Sequence, residues 1–338
     1  MHDSARIQDT VTPRTEVAEA DPASPVADSS GGTPRKFADP AVTADGSPRA
    51  SVALRNLTTL WFNTGTRCNL TCANCYIESS PTADHLVYLT AAEVDGYLDE
   101  LDRDFDATEI GFTGGEPFMN PDIIPMLRSA LDRGYRVLVL TNAMRPMMKC
   151  QDALLVLRAD FGDQLRIRVS VDHYSAKVHD AERGDHAWRR MIPGLNWLAA
   201  NGFHLSLAGR TVTGESDARL RGGYRKLLDR HGITLDVRDP ERLVLFPEMD
   251  VRAEVPEITT ACWGILDVSP DAMMCASSRM VIRRKGAAAA TVSPCTLLPL
   301  DPAFDRGPRL ADATGDVALN HPHCARFCVL GGGSCSAA

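Results

Sequence analysis

Between residues 57 and 237, short apolar runs alternate with longer stretches carrying apolar residues at helical spacing. Leu60 to Asn63 reads as a first strand, Glu109 to Thr113 as a second and Val137-Leu138-Val139-Leu140 as a third. Leu165 to Val171, Phe203 to Thr213 and Ile233 to Val237 follow as the fourth, fifth and sixth. An uninterrupted apolar run is what a parallel strand covered on both faces requires. Thr90-Ala91-Ala92-Glu93 matches a capping box, and Val94, Leu98 and Leu101 then recur at i, i+4 and i+7, so a helix runs to about Asp104. Asn120-Pro121 opens a helix with Ile124, Leu127 and Leu131 on one face, and Gly134 stops it. Further helices are expected over 147–159, 188–200 and 217–230. This alternation implies an α/β fold with a parallel sheet and right-handed crossovers, either doubly wound or closed toward a barrel.

The first strand leads into Cys68, Cys72 and Cys75, a C-x3-C-x2-C run. Three thiolates this close can grip one soft metal centre, and thiolates favour zinc or iron–sulfur clusters. A [4Fe–4S] cluster takes four ligands, so three cysteines leave one iron open. The alternative is a structural zinc knuckle, which closes with four ligands and finds no fourth Cys or His close by. After the second strand comes Gly114-Gly115-Glu116-Pro117, whose glycines permit close approach of backbone to a ligand. Thr141-Asn142 ends the third strand, and Ser170 and Asp172 end the fourth. Their hydroxyl, amide and carboxylate groups suit ribose hydroxyls; as caps or turn residues they would need no ligand.

The cysteine run followed by Gly-Gly-Glu-Pro resembles the radical S-adenosylmethionine (SAM) superfamily. The resemblance implies a partial (β/α)6 TIM-type barrel, with chemistry at the C-terminal ends of its strands. It implies that Cys68, Cys72 and Cys75 hold a [4Fe–4S] cluster whose open iron is chelated by SAM, and that one electron cleaves SAM to methionine and a 5′-deoxyadenosyl radical. Gly114, Gly115, Glu116 and Pro117 would hold the SAM amino group through backbone carbonyls and the Glu116 position. Asn142, Ser170 and Asp172 would line its ribose and methionine side. Arg183 is a further candidate for the SAM carboxylate, and Arg210 could hold SAM or a substrate or be paired structurally. Many relatives carry an aromatic residue just before the third cysteine; here that residue is Asn74, and Tyr76 follows instead and is expected near SAM.

Past residue 240 the rhythm stops and six cysteines appear: Cys262, Cys275, Cys295, Cys324, Cys328 and Cys335. Cys275 to Cys295 reads as strand, Gly286 turn, strand, with a cysteine at each end. It resembles the hairpin of SPASM and Twitch extensions, which implies one auxiliary [4Fe–4S] cluster with ligands drawn from these six. A zinc site of Cys324, Cys328 and His321 or His323 is the alternative. The expected organisation is a disordered leader over 1–50, a barrel core over 51–240 and an auxiliary-cluster extension over 241–338. Residues 1–50 hold six of the 21 prolines and one aromatic residue, Phe37, too little apolar surface to offset ordering entropy.

Composition narrows the function. The net charge of −8 argues against bulk nucleic-acid binding, and no apolar window reaches membrane-spanning length. The N-terminus lacks the apolar core of a secretory signal, so a cytoplasmic location is expected and ten cysteines read as metal or catalytic groups. Cys150 stands alone and reads as an inert thiol. The expectation is a radical SAM oxidoreductase acting on a small biosynthetic substrate of sugar or cyclitol type, with flavodoxin or ferredoxin as electron donor. The rival is a maturase of peptide or protein side chains; the third reading is a non-catalytic iron–sulfur carrier or sensor. No residue is singled out as the catalytic base. Thr296 follows Cys295 where peptide-oxidising relatives carry an Asp base, and Glu248 and Asp250 read as solvated loop residues or substrate contacts.

Overall fold

A computed structural model describes residues 35–247 and 254–334. Six strands form the expected parallel series: β1 Thr59–Asn63, β2 Glu109–Thr113, β3 Arg136–Thr141, β4 Leu165–Ser170, β5 His204–Arg210 and β6 Leu243–Phe246. Each pairs in parallel with the next in sequence order. β1 and β2 are buried along their whole length, as a sheet covered on both faces demands. The helices between them are α1 Ala91–Asp104, α2 Ile123–Asp132, α3 Gln151–Phe161, α4 Ala176–Arg183, α5 Ala187–Ala200 and α6 Asp217–Arg230. Thr90 and Glu93 close the capping box of α1 reciprocally, and the Ser216 hydroxyl caps α6. The architecture is α/β, and its open run of six parallel strands is consistent with a partial TIM-type barrel.

The sixth strand lies ten residues later than expected. Ile233, Leu235 and Val237 do alternate and are buried, but they lie in a loop that turns through Asp236 and Asp239. Alternation records which side chains face the core, whereas pairing requires an available edge. That edge is taken by the continuous apolar run Leu243-Val244-Leu245-Phe246, in register with Leu207 to Arg210. Helix α4 has no counterpart in the sequence reading, because His179 is its only fully buried residue and no apolar stripe announces it.

The expected hairpin forms: β7 Ser278–Ile282 pairs antiparallel with β8 Thr291–Ser293. β7 also pairs in parallel with β1, Thr59 opposite Ser278. The eight-stranded sheet therefore runs β6-β5-β4-β3-β2-β1-β7-β8 and continues across residue 240. Residues 35–50, assigned above to a leader, are instead fixed to the body. Arg49 is buried and bonds the Glu257 carboxylate at 2.6 Å, and the Ala50 N–H donates to the Ile258 carbonyl. Ser51–Val52 then pairs with Val317–Ala318. A proline-rich composition hid this anchor, because it is made by one charge and backbone groups and not by an apolar run.

Candidate active site

The loop from β1 to α1 carries the three cysteines at the C-terminal end of the sheet. Thr66 pins the loop by exchanging bonds with Leu86, and the Cys68 N–H donates to Ser80 O at 3.0 Å. Gly115 and Glu116 dock against this loop, their N–H groups donating to Gly65 O and Arg67 O at 2.8 and 3.1 Å. This approach requires glycine: a Cβ on Gly115 would stand 2.3 Å from Arg67 O, and Gly114 has φ 143°. From the other side α4 clamps the loop. The Ala73 N–H donates to Glu182 O at 2.8 Å, and the Asn74 amide to the Glu182 carboxylate at 3.1 Å.

These elements enclose a cavity of about 1060 Å³ including its open mouth. Cys68, Cys72 and Cys75 line it together with Gly114, Gly115, Asn142, Ser170, Asp172 and Tyr76. Glu116 and Pro117 do not line it. The Glu116 carboxylate turns into the body and accepts from the Thr141 hydroxyl at 2.8 Å, the Asn142 N–H at 2.9 Å and the Phe118 N–H at 3.3 Å. It thus ties the end of β3 to the Gly114–Pro117 turn. Burial pushes its pKa up to about 7, outweighing its three donors. The Asn142 amide donates to Asn69 Oδ1 at 2.9 Å and stands 4.0 Å from Cys68 Sγ.

Asp172 is buried and held by both arms of Arg183, at 2.9 Å each. Its pKa stays below the usual carboxylate value because the Arg183 charge and bonds overcome its burial. Arg210 bonds Glu182 at 2.7 Å. Arg183 and Arg210 both face the cavity. Glu182 therefore gathers the cysteine loop and Arg210, a role its sequence context did not signal. One part of the wall is apolar and was not foreseen: Leu140, Phe246, Leu297 and Phe327, beside Tyr76; Asn74, Ser79, Thr113 and Thr141 add polar groups elsewhere.

The donor set suits an iron–sulfur cluster with one open iron. Three thiols face one cavity, and burial pushes the Cys68 thiol up to about 12, so a cationic centre is needed to hold it as thiolate. Among the described residues no three His, Cys, Asp or Glu side chains converge on a single ion. A cubane instead takes one thiolate on each of several irons.

A second, smaller and tightly packed cavity, about 350 Å³ including the open space at its mouth, brings together Cys275, Cys295, Cys324 and Cys328. Its other walls are Met273, Met274, Leu297, Leu298, Val317, Leu319 and His323. No disulfide joins the cysteines among the described residues. Cys262 lies elsewhere: its sulfur accepts from the Thr259 N–H and meets the Thr259 hydroxyl, each at 3.4 Å, as the start of a short helix. Cys335, Glu248 and Asp250 fall outside the described residues. Cys150 is half-buried at the N-terminal end of α3, away from both cavities. Leu297 borders both cavities.

Residues 62–222 match a family model described as "Radical SAM superfamily". The chain carries a radical SAM domain. That span contains the cysteine run, the Gly114–Pro117 turn, Asn142, Ser170 and Asp172. The radical SAM domain is similar in sequence to the antilisterial bacteriocin subtilosin biosynthesis protein AlbA of Bacillus subtilis (strain 168), 32% identical over 35% of this chain and 25% of that protein. The mycofactocin maturase MftC of Mycobacterium ulcerans (strain Agy99) is 29% identical over 50% of this chain and 44% of that protein. An AdoMet-dependent heme synthase of Methanosarcina barkeri (strain Fusaro / DSM 804) is 31% identical over 40% of this chain and 37% of that protein. The chain thus spans between a quarter and less than half of the length of these relatives. A solved structure described as native anSMEcpe with bound AdoMet shares the fold, with a TM-score of 0.53 and 13% identity over 79% of this chain and 80% of that one. The radical SAM domain and relatives named as maturases and synthases mark the chain as an enzyme. No helix among the described residues is long and apolar enough to cross a membrane.

Proposed function

We propose that the chain is a radical SAM maturase that oxidises or cross-links an apolar side chain of a peptide. Cys68, Cys72 and Cys75 would hold the [4Fe–4S] cluster, with backbone groups of Gly114 and Gly115, the Asn142 and Ser170 side chains and the Arg183–Asp172 pair around SAM. When bound, these cofactors supply a 5′-deoxyadenosyl radical that takes a hydrogen atom from the substrate. The chain's own residues position and shield: Glu116 fixes the ends of two strands, Glu182 fixes the cysteine loop, and the apolar wall excludes water from the reacting carbon.

The observation that carries the peptide reading is that wall. Tyr76, Leu140, Phe246, Leu297 and Phe327 offer few partners for the hydroxyls of a sugar or cyclitol, and they suit an aliphatic or aromatic side chain. Two of the relatives reported above are named for bacteriocin biosynthesis and for maturation, which supports it over the small-molecule expectation. The likeness to a protein named heme synthase keeps a non-peptide substrate as the second reading. Cys275, Cys295, Cys324 and Cys328 would hold one auxiliary [4Fe–4S] cluster with all four irons ligated, suited to accepting an electron and not to binding substrate. A flavodoxin or ferredoxin would supply the reducing electron.

The test is anaerobic incubation with SAM, dithionite and peptides deuterated at aliphatic and aromatic residues. Deuterium in 5′-deoxyadenosine, abolished by Cys72→Ala, is expected. Turnover of SAM with label arriving only from a non-peptide metabolite fraction would overturn the peptide reading.

A further inference from the structure

Arg279 is an anomaly among the buried residues of the hairpin. It lies on β7, is 1% exposed, and its guanidinium meets only carbonyl oxygens. Nε donates to Ala313 O at 2.7 Å, and Nη1 donates to Cys275 O at 2.6 Å and Ser278 O at 2.7 Å. Nη2 reaches Gly315 O at 3.5 Å. Among the described residues no carboxylate pairs with it. The titratable groups that do act on it are the Cys275 and Cys295 thiols and a second cation, Arg306. The Arg306 Nε is itself buried without a hydrogen-bond partner among the described residues. A buried cation without a counter-ion is strongly destabilising. Arg279 acts on Cys275 and Cys295, and the half-buried Arg306 acts on Arg279 and Cys275, which marks a place where the counter-charge comes from something those cysteines hold.

We propose that Arg279, with Arg306 beside it, sets the redox balance of the auxiliary iron–sulfur site by stabilising its reduced form. This rests on the reading that Cys275, Cys295, Cys324 and Cys328 hold a cluster. The electrostatics follow from charge alone. Four thiolates make the ligated site anionic, and reduction adds one electron without bond making or proton uptake. A fixed positive charge held in the low-dielectric surroundings, behind the cysteines, favours the more negative form. In turnover the electron would come from the substrate radical left after hydrogen abstraction; in the assay it comes from dithionite. The two arginines act through the cluster and are positioning residues. The carbonyl bonds of Arg279 give it a structural role as well, so iron retention and redox balance have to be read separately.

The full-length chain with Cys68, Cys72 and Cys75 all changed to Ala isolates the auxiliary site. It is reconstituted anaerobically and titrated with dithionite while the reduced cluster is followed by electron paramagnetic resonance. Arg279→Gln is expected to keep the iron and to shift the reduction equilibrium at least tenfold toward the oxidised form, 59 mV for one electron. Arg279→Lys, which keeps the charge, is expected to restore the parent value. Retained iron with an unmoved equilibrium in Arg279→Gln overturns the inference and leaves the cluster reading intact. No iron in the triple-Ala parent overturns the cluster reading itself. If Arg279→Gln loses its iron, Arg306→Gln decides: a shift in the same direction supports the inference, and none overturns it.

Discussion

Glu116 gives the most discriminating test of how the site is built, because its two protonation states make opposite predictions. The carboxylate is 1% exposed; burial outweighs its three donors and the charge of Arg183, and its pKa rises from 4.5 to about 7. Deprotonation is therefore disfavoured in the fold relative to the unfolded chain. Below about pH 4.5 both states hold the proton and the group contributes nothing. Between pH 4.5 and 7 the unfolded chain releases the proton while the folded chain keeps it, so stability falls as pH rises. At 1.36 kcal/mol per pH unit the full loss is about 3 kcal/mol above pH 7. Glu116→Gln removes this dependence. The introduced amide oxygen can accept from the Asn142 N–H and its NH2 can donate to Thr141 Oγ1. The Phe118 N–H at 3.3 Å then loses its acceptor, at a cost of roughly 1–3 kcal/mol. The variant should be less stable than the parent at pH 4.5 by about that amount, and equal or more stable at pH 8. Urea midpoints of the cluster-free chain under a thiol reductant, from pH 4.5 to 8, measure both arms. If the difference between parent and variant does not change over that range, or changes in favour of the parent as pH rises, burial does not control this carboxylate and the reasoning is wrong.

Other outcomes follow from the same geometry. Gly115→Ala drives a Cβ to 2.3 Å from Arg67 O, so the loop must move; a loss of about 2–4 kcal/mol and of iron from the first site is expected, by urea titration and iron counts. Asp172→Asn leaves the buried Arg183 charge without its bidentate partner; a loss of about 3–5 kcal/mol is expected, with at least tenfold weaker SAM binding by equilibrium dialysis. Cys328→Ser should lower the reconstituted iron by roughly half, while Cys262→Ser should leave it unchanged, because only Cys328 faces the second cavity. Equal loss in both would show that the cysteine set has been drawn wrongly.

Much of this arrangement was legible in the residues, and the misses have physical reasons. Strands such as Val137 to Leu140 announce themselves because burial on both faces demands continuous apolar sequence. The cysteine run and the glycine turn are local, so spacing alone brought Cys68, Cys72, Cys75 and Gly115 to one cavity. Glu116 was misdirected toward SAM because sequence places a side chain near a turn but not on one side of it. Glu182 was missed because its work is done by an exposed-looking helix with a single buried residue. Cys262 was grouped with the auxiliary ligands by proximity in the chain, although a turn with Thr259 holds its sulfur elsewhere. Side-chain chemistry at a strand end is readable; which of two cavities a distant cysteine enters depends on long-range packing.

The pairing of β7 with β1 joins the two cysteine sites. Register sets Thr59 to Phe62 against Ser278 to Val281 in parallel. The Cys68 loop leaves the C-terminal end of this ladder, while Cys275 precedes its N-terminal end and Cys295 follows β8 toward that same end. Five residues of strand at about 3.3 Å each hold the two ends roughly 16 Å apart. Slippage by one residue would turn Met280 and Ile282 out of the core they share with Cys275, Cys295 and Phe327 and carry Val281 into it, so the packing that buries the hairpin also fixes the separation. Leu297, just past Cys295, then reaches back to border both cavities. An extension tethered only by a linker could vary that distance; one sharing a strand ladder with the barrel cannot, and under the proposed function, in which two clusters would exchange an electron through one substrate, that constancy is what the exchange would need.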